Sequence, residues 1–402
     1  MNRRDWIKGL GLGTAGAVSL FSRGDVFAAD ANAVTSKTLP PLKITKVRAI
    51  KTAPQRSRLV VVKVETSEPG LYGLGCATFN QRPLAVITAI EEYLDPFARG
   101  RDADNIEDLW QNAYTSSYWR NGPVLNNALS GLDMALWDIK GKVYGQPIHR
   151  LLGGKRHNKI KAYASILFGK NGKETAKIAQ RWKKAGYQAI KFGWEPMGQS
   201  EALDIEIVEG ARDGFGEGTL LIDAGCVWDA RTALLRAEKF QKFNIGWLEE
   251  ALHQDDIDGY VWLRDRSPVP IAAGEGECGR AMWKPWIERH ALDIYQVDLA
   301  RNGFTDSDYV RQRVEESGGR LCNHCYKTPI SVAACLHWLS TCRDAFVFED
   351  CVEDSPLRHE LTNERVQAER DGFIRIPDAP GLGVTLNEKF VKKYLINESG
   401  RS

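Results

Sequence analysis

From Ile160 to Glu349 the chain repeats one unit, a short β-rich run followed by a helical stretch. The runs are Ile160–Ser165, Ala189–Phe192, Leu220–Asp223, Ile245–Glu249, Val269–Glu275, Ile294–Asp298, Leu321–His324 and Phe346–Glu349. Seven of the eight end on a polar side chain, and the other carries Lys191 one residue before its end. Asp223, Glu249 and Glu275 are 26 residues apart, and Asp298 and His324 continue at about that period. Strands alternating with helices at this spacing predict an α/β fold, a closed parallel (β/α)7β barrel of TIM type. A strand that ends in a carboxylate carries it to the C-terminal mouth, where barrel enzymes hold their chemistry. One such Asp can be only the cap of the next helix. That does not account for three carboxylates, an Asp, a His and a Lys at successive strand ends.

The barrel is expected over 156–360, with 361–402 packing back on an earlier domain. That domain, 32–155, reads as a smaller α+β cap. Two alternating runs within 42–66 are joined by a short basic turn, and helical stretches follow near 83–95, 104–116 and 123–143. Residues 1–31 are different in kind. Arg3-Arg4-Asp5-Trp6 precedes a Gly/Ala-rich apolar stretch and small-residue sites near Ala29 and Ala31. That order predicts an export signal of the twin-arginine type, and hence a periplasmic protein. Lys+Arg 54 against Asp+Glu 52 gives +2, which argues neither for nucleic acid nor for a membrane surface. Cys322-Asn323-His324-Cys325 has redox or zinc spacing, but no second C-x-x-C accompanies it. The bland reading, a strand end that happens to carry two cysteines, is preferred.

Three carboxylates on neighbouring strands are expected to converge, and three like charges need a cation to stay ionised together. Hard oxygen donors favour Mg²⁺, one per subunit. Such an ion chelates a substrate carboxylate and takes up charge when the adjacent C–H is deprotonated. His324 is the candidate base, with Asp298 one strand earlier to fix its tautomer. Lys191, across the barrel, is a candidate to neutralise the substrate carboxylate or to act as a second base.

At these residues the chain resembles the mandelate racemase subgroup of the enolase superfamily. The matching pieces include Ala189-Ile190-Lys191-Phe192, Leu221-Ile222-Asp223-Ala224, Trp247-Leu248-Glu249-Glu250, Ala273-Gly274-Glu275, Gln296-Val297-Asp298, Asn302-Gly303-Phe304-Thr305, Asn323-His324 and Phe348-Glu349. The resemblance implies Mg²⁺ on Asp223, Glu249 and Glu275, a base dyad of Asp298 and His324, and substrate contact by Glu349. The segments Gly73–Thr78, Tyr118–Pro123 and Ala135–Lys140 are similar to the mannonate dehydratase branch, and the Phe192-Gly193-Trp194 region resembles L-rhamnonate dehydratase. The family assigns substrate choice to cap loops, here Gln55–Arg58 and Phe79–Arg82. Ser165, Asn80, Arg82 and Trp194 are the candidate substrate contacts.

Two departures bear on the reaction. The racemases carry Lys-x-Lys on the second strand, and here the second position is Gly193. The third strand often has Asp-x-Asn, and here it is Asp223-Ala224-Gly225. A racemase needs bases on both faces of the enolate; a single His can take an α-proton and then protonate a leaving β-hydroxyl. The expectation is therefore an acid-sugar dehydratase, a hydro-lyase giving a 2-keto-3-deoxy acid, assembled as a homo-oligomer. A cycloisomerase or epimerase of a sugar acid is the nearest alternative. A periplasmic sugar-acid binding or sensing protein is the alternative from another class, and the complete ligand set argues against it.

Overall fold

The computed structural model describes residues 41–116, 118–325 and 328–396, so the twin-arginine segment lies outside the described residues. Eight parallel strands form the central sheet: β4 (Lys159–Leu167), β5 (Ala189–Gly193), β6 (Thr219–Asp223), β7 (Ile245–Glu249), β8 (Ile271–Ala273), β9 (Ile294–Val297), β10 (Arg320–Asn323) and β11 (Phe348–Cys351). Their order is β10-β9-β8-β7-β6-β5-β4-β11. An isolated parallel bridge between Leu321 and Ala345 closes the ring, helped by Glu349 N–H donating to Asn323 Oδ1 at 3.0 Å. The barrel's inner layer is filled by Tyr163, Leu221, Trp247 and Cys322, all fully buried, so the interior is packed rather than open.

Ahead of the barrel stands an antiparallel sheet of β1 (Ile44–Thr52), β2 (Leu59–Thr66) and β3 (Tyr72–Cys76). Helices cover it at Pro83–Thr88, Ile106–Thr115 and Pro123–Tyr144. The long helix Pro123–Tyr144 starts with Pro at its first position and stops at Gly145, whose φ of 65° is left-handed. It is buried nearly all round because it lies between the cap sheet and the barrel.

The β3 strand reads poorly from sequence because two of its five residues are glycine. A Cβ on Gly73 would sit 1.9 Å from Ala135 O, and one on Gly75 would sit 1.9 Å from Gly131 O. The strand therefore lies directly on the helix backbone. The cap also has a third strand that alternation alone does not reveal.

Two buried aspartates on the long helix join the domains. Asp133 accepts from Phe304 N–H (2.6 Å), Thr305 N–H (3.1 Å) and Thr305 Oγ1 (2.5 Å) on the barrel helix Leu299–Glu316. Asp138 accepts from Leu74 N–H (2.9 Å), Lys142 Nζ (2.6 Å) and Leu382 N–H (2.8 Å). The C-terminal segment continues through β12 (Phe373–Arg375), antiparallel to β4, and reaches the cap at a Thr52–Leu395 bridge. No helix among the described residues is long and apolar enough to cross a membrane.

Within the cap, Asp95 accepts from Val47 N–H (2.7 Å), Lys46 Nζ (2.7 Å) and Arg99 Nη2 (2.6 Å). Burial opposes its charge, but these partners outweigh burial and hold the carboxyl down at about 2, against an ordinary 3.8. A depressed carboxyl stabilises the fold above its unfolded pKa and stops doing so as pH falls through the folded one. Asp95→Asn should thus cost about 2 kcal/mol at neutral pH. Urea melts should find the gap to wild type narrowing as pH drops below about 4, and a pH-independent gap would exclude this origin.

Candidate active site

Each candidate side chain points to the mouth because strands alternate inward and outward positions. On β4 to β7 the inward residues near the mouth are Ser165, Lys191, Asp223 and Glu249. Lys191 pairs in register with Ser165 on one side, and Asp223 pairs with Glu249. Glu275 lies just past the short β8, in the loop and not in the strand. Asp298 follows β9 and caps the next helix, accepting from Ala300 N–H at 2.7 Å, so it serves both as cap and as partner to His324.

Lys191 is the electrostatic centre. Its ammonium is 2.5 Å from Glu249 Oε1, 3.2 Å from Glu349 Oε1 and 3.5 Å from Asp223 Oδ2. Burial works against its charge, but these carboxylates outweigh burial and push it well above the ordinary lysine value. Glu349 is the opposite case among the acids. Burial would raise it, yet Lys191, His324, Cys325 N–H (2.6 Å) and Ser165 Oγ (2.9 Å) bring it down to about 2. Burial pushes Glu249 up to about 8, with Lys191 opposing and Asp223 and Glu349 adding repulsion. Its second oxygen accepts from Trp247 Nε1 at 2.8 Å.

His324 Nδ1 is 2.9 Å from Asp298 Oδ2, and its Nε2 faces Glu275 Oε2 at 3.4 Å. Burial disfavours the imidazolium, but Glu275, Glu349 and Asp298 lift the ring to about 9. Glu275 itself is raised to about 7, first by burial.

The donors suit a hard divalent cation in kind: they are carboxylate oxygens, buried at Asp223 and Glu249 and half-buried at Glu275, and undersupplied with positive charge. No group of three His, Cys, Asp or Glu side chains stands in metal-holding geometry among the described residues. Glu249 and Asp223 both pair with Lys191, and Glu275 pairs with His324.

The other candidates are spread around the mouth. Ser165 joins the cluster through Glu349. Asn80 lines a cavity of about 170 Å³ beside the β10 and β11 ends, together with Gln55, Ser57, Cys325, Glu353 and Arg358. That cavity adjoins the Lys191–His324 group through Cys325 but is not lined by the carboxylates themselves. Arg82 is exposed, and its Nη1 donates to Gln81 O at 2.8 Å. It makes no hydrogen bond to the Lys191 group among the described residues. Trp194 stands exposed at the rim after β5. Of the C-x-x-C cysteines, Cys322 lies inside the barrel and Cys325 after the strand, and both are buried.

Glu250 escaped the reading of strand ends, because alternation points it away from Glu249. In the structure its φ is 43°, it is buried, and it accepts from Gln254 Nε2 at 2.9 Å and Cys226 Sγ at 3.5 Å. Burial, then the charge of Asp223, raises it to about 7. The adjacent pair Glu249-Glu250 was the available signal.

Comparison with known proteins identifies the lineage. Residues 31–153 match the mandelate racemase / muconate lactonizing enzyme N-terminal domain, and 174–390 match the enolase C-terminal domain-like family. The chain belongs to the mandelate racemase / muconate lactonizing enzyme family. It is 34% identical to a D-galactonate dehydratase family member of Musicola paradisiaca, over 88% of this chain and 94% of that one. An enolase from Pantoea ananatis, solved with D-gluconate and Mg bound, superposes with a TM-score of 0.81 at 33% identity, covering 89% and 95% of the two chains. The 3,6-anhydro-D-galactonate cycloisomerase of Zobellia galactanivorans is similar at 28% identity and a TM-score of 0.81, covering 89% and 100%. These relatives make this family member an enzyme of the hydro-lyase class.

Gly193, where the family's racemases have a lysine, meets a local constraint. A Cβ there would lie 2.9 Å from both Cβ and Oδ2 of Asp223. Gly193→Ala should therefore displace Asp223 and cost about 1–3 kcal/mol of stability, the range for overpacking a filled site. Thermal melts with and without Mg²⁺ test this; a variant as stable as wild type, with an unchanged Mg²⁺-induced shift, would show that the contact is harmless.

Proposed function

We propose that this enzyme dehydrates an aldonate-type sugar acid to its 2-keto-3-deoxy product, using one Mg²⁺ per subunit held by Asp223, Glu249 and Glu275. The observation that carries the reading is the dyad: His324 has Nδ1 on Asp298 at 2.9 Å and turns Nε2 toward the carboxylates. The metal, when bound, supplies a Lewis acid that takes up negative charge developing on the substrate carboxylate. Asp298 fixes the ring so that Nε2 receives the C2 proton. Neighbouring carboxylates favour the imidazolium, which makes the neutral ring a stronger base. The same imidazolium then protonates the C3 hydroxyl, which leaves as water, and the resulting enol becomes the 2-keto-3-deoxy acid. Lys191 and Ser165 orient the carboxylate end, with Glu349 holding both. Asn80 and the cavity beside it receive the far end of the chain. Gly193 supplies no group on the opposite face, which disfavours racemisation.

Similarity to the cycloisomerase supports a second reading, isomerisation of an anhydro sugar acid. Mass analysis of the product separates the two, because only dehydration loses one water.

His324→Asn should abolish both product formation and exchange of the substrate α-proton with D₂O, while Lys191→Ala weakens both. NMR of deuterium incorporation reads this directly. Exchange at a near wild-type rate in His324→Asn would mean that the proton is moved by another group.

We also propose export by the twin-arginine route, supported by Arg3-Arg4 and the apolar stretch after them. Changing both arginines to lysine should hold the precursor in the cytoplasm on fractionation; normal periplasmic amounts would remove this proposal.

A further inference from the structure

The cavity of about 170 Å³ beside the β10 and β11 ends has an uneven charge. Three of its lining side chains are acidic or basic by nature, Asp350, Glu353 and Arg358. Two of them cancel. Arg358 Nη2 donates to both oxygens of Asp350, at 2.9 and 3.0 Å, and its Nη1 donates to Cys351 O at 2.6 Å. Tyr187 O–H adds a further bond to Asp350 Oδ2 at 2.6 Å. The guanidinium is committed to this bidentate pair and offers little net attraction to a second anion.

Glu353 is left over. It is exposed at the cavity, and among the described residues no cation or hydrogen-bond donor meets its carboxylate. Arg56, Arg58 and Arg365 neighbour lining residues in the chain, but each is exposed and none lines the cavity. The rest of the polar lining is uncharged, and includes the amides of Gln55 and Asn80 and the hydroxyls of Ser57 and Ser355.

An aldonate and an aldarate differ at one carbon, the end remote from the reacting carboxylate. The aldonate ends there in a primary alcohol, and the aldarate in a second carboxylate. An alcohol donates to a carboxylate and exchanges hydrogen bonds with amides and hydroxyls. A second carboxylate meets a like charge at Glu353 and finds no unmatched cation in the lining. An unpaired charge set against one of two similar ligands is a direct source of specificity. We propose that Glu353 is a specificity-determining residue, which makes this cavity accept the hydroxyl end of a monoacid and reject the charged end of a diacid. The proposal rests on the acid-sugar dehydratase reading, in which the cavity receives the far end of the substrate. Glu353 touches no reacting atom, so it acts on binding and leaves the chemical step unchanged.

The test compares acids that share every stereocentre: D-gluconate with D-glucarate, D-galactonate with galactarate, and D-mannonate with D-mannarate. Affinities are read by calorimetry on the Mg²⁺-loaded full chain in a His324→Asn background, which binds without turning over. In the pair bound most tightly, the monoacid should bind at least about tenfold better than the diacid. That preference should shrink as salt is raised, because Glu353 is exposed to screening ions. Glu353→Gln should bring the diacid to within about threefold of the monoacid by strengthening the diacid, and Glu353→Lys should reverse the order. Equal binding of the two acids when Glu353 is present overturns the proposal. So does a preference unchanged in Glu353→Gln, or one lost there only because the monoacid binds more weakly. Assaying the His324 protein for lost water keeps the two readings apart. A Glu353-dependent preference without loss of water defeats the dehydratase reading alone, and loss of water from acids of both classes at equal affinity defeats the selection by Glu353 alone.

Discussion

Lys191 sits buried among three buried carboxylates, and the rest of the mouth is arranged around that imbalance. One ammonium contacts Glu249, Glu349 and Asp223, while Glu275 relies on His324. Paired buried charges persist only when partners and hydrogen bonds offset lost hydration. Glu349 has those partners and stays ionised; Glu249 and Glu275, with fewer, are driven toward their protonated forms. The same shortage of positive charge is what a divalent cation relieves, so the electrostatics and the proposed chemistry share one cause.

The scaffold keeps this group dry and fixed. Strand ends set the direction of each side chain, and the cap covers the mouth through few but buried contacts. Asp133 ties the long cap helix to the barrel, and Asp138 ties it to β3 and the C-terminal segment. Both are fully buried carboxylates whose oxygens are met by backbone N–H groups, a strong form of charge-assisted contact. Cap loops carrying Gln55, Ser57 and Asn80 then reach the cavity beside Cys325.

Much of this was legible because a barrel writes its period into the chain. Asp223, Glu249, Asp298 and His324 could be found as polar residues closing apolar runs, and their convergence followed from strand direction. Other features depend on contacts between distant segments, which periodicity does not encode. Gly73 and Gly75 form a strand because a helix backbone lies against them. Glu250 is buried on a left-handed backbone that alternation does not foresee, and Gly193 is confined by Asp223 on the neighbouring strand. The pairing of these carboxylates, Asp223 and Glu249 with Lys191 and Glu275 with His324, is likewise a matter of charge in three dimensions.

The central claim is that these carboxylates are a cation site and not merely a buried ion-pair network. Titrating metal-stripped protein with Mn²⁺ and counting bound ions by electron paramagnetic resonance addresses it directly, using Glu249→Gln to remove one charge while keeping the side chain's shape. The account predicts one Mn²⁺ per chain in the wild type and at least tenfold weaker binding in Glu249→Gln. Binding of equal strength in the two proteins, or none in the wild type, would contradict it.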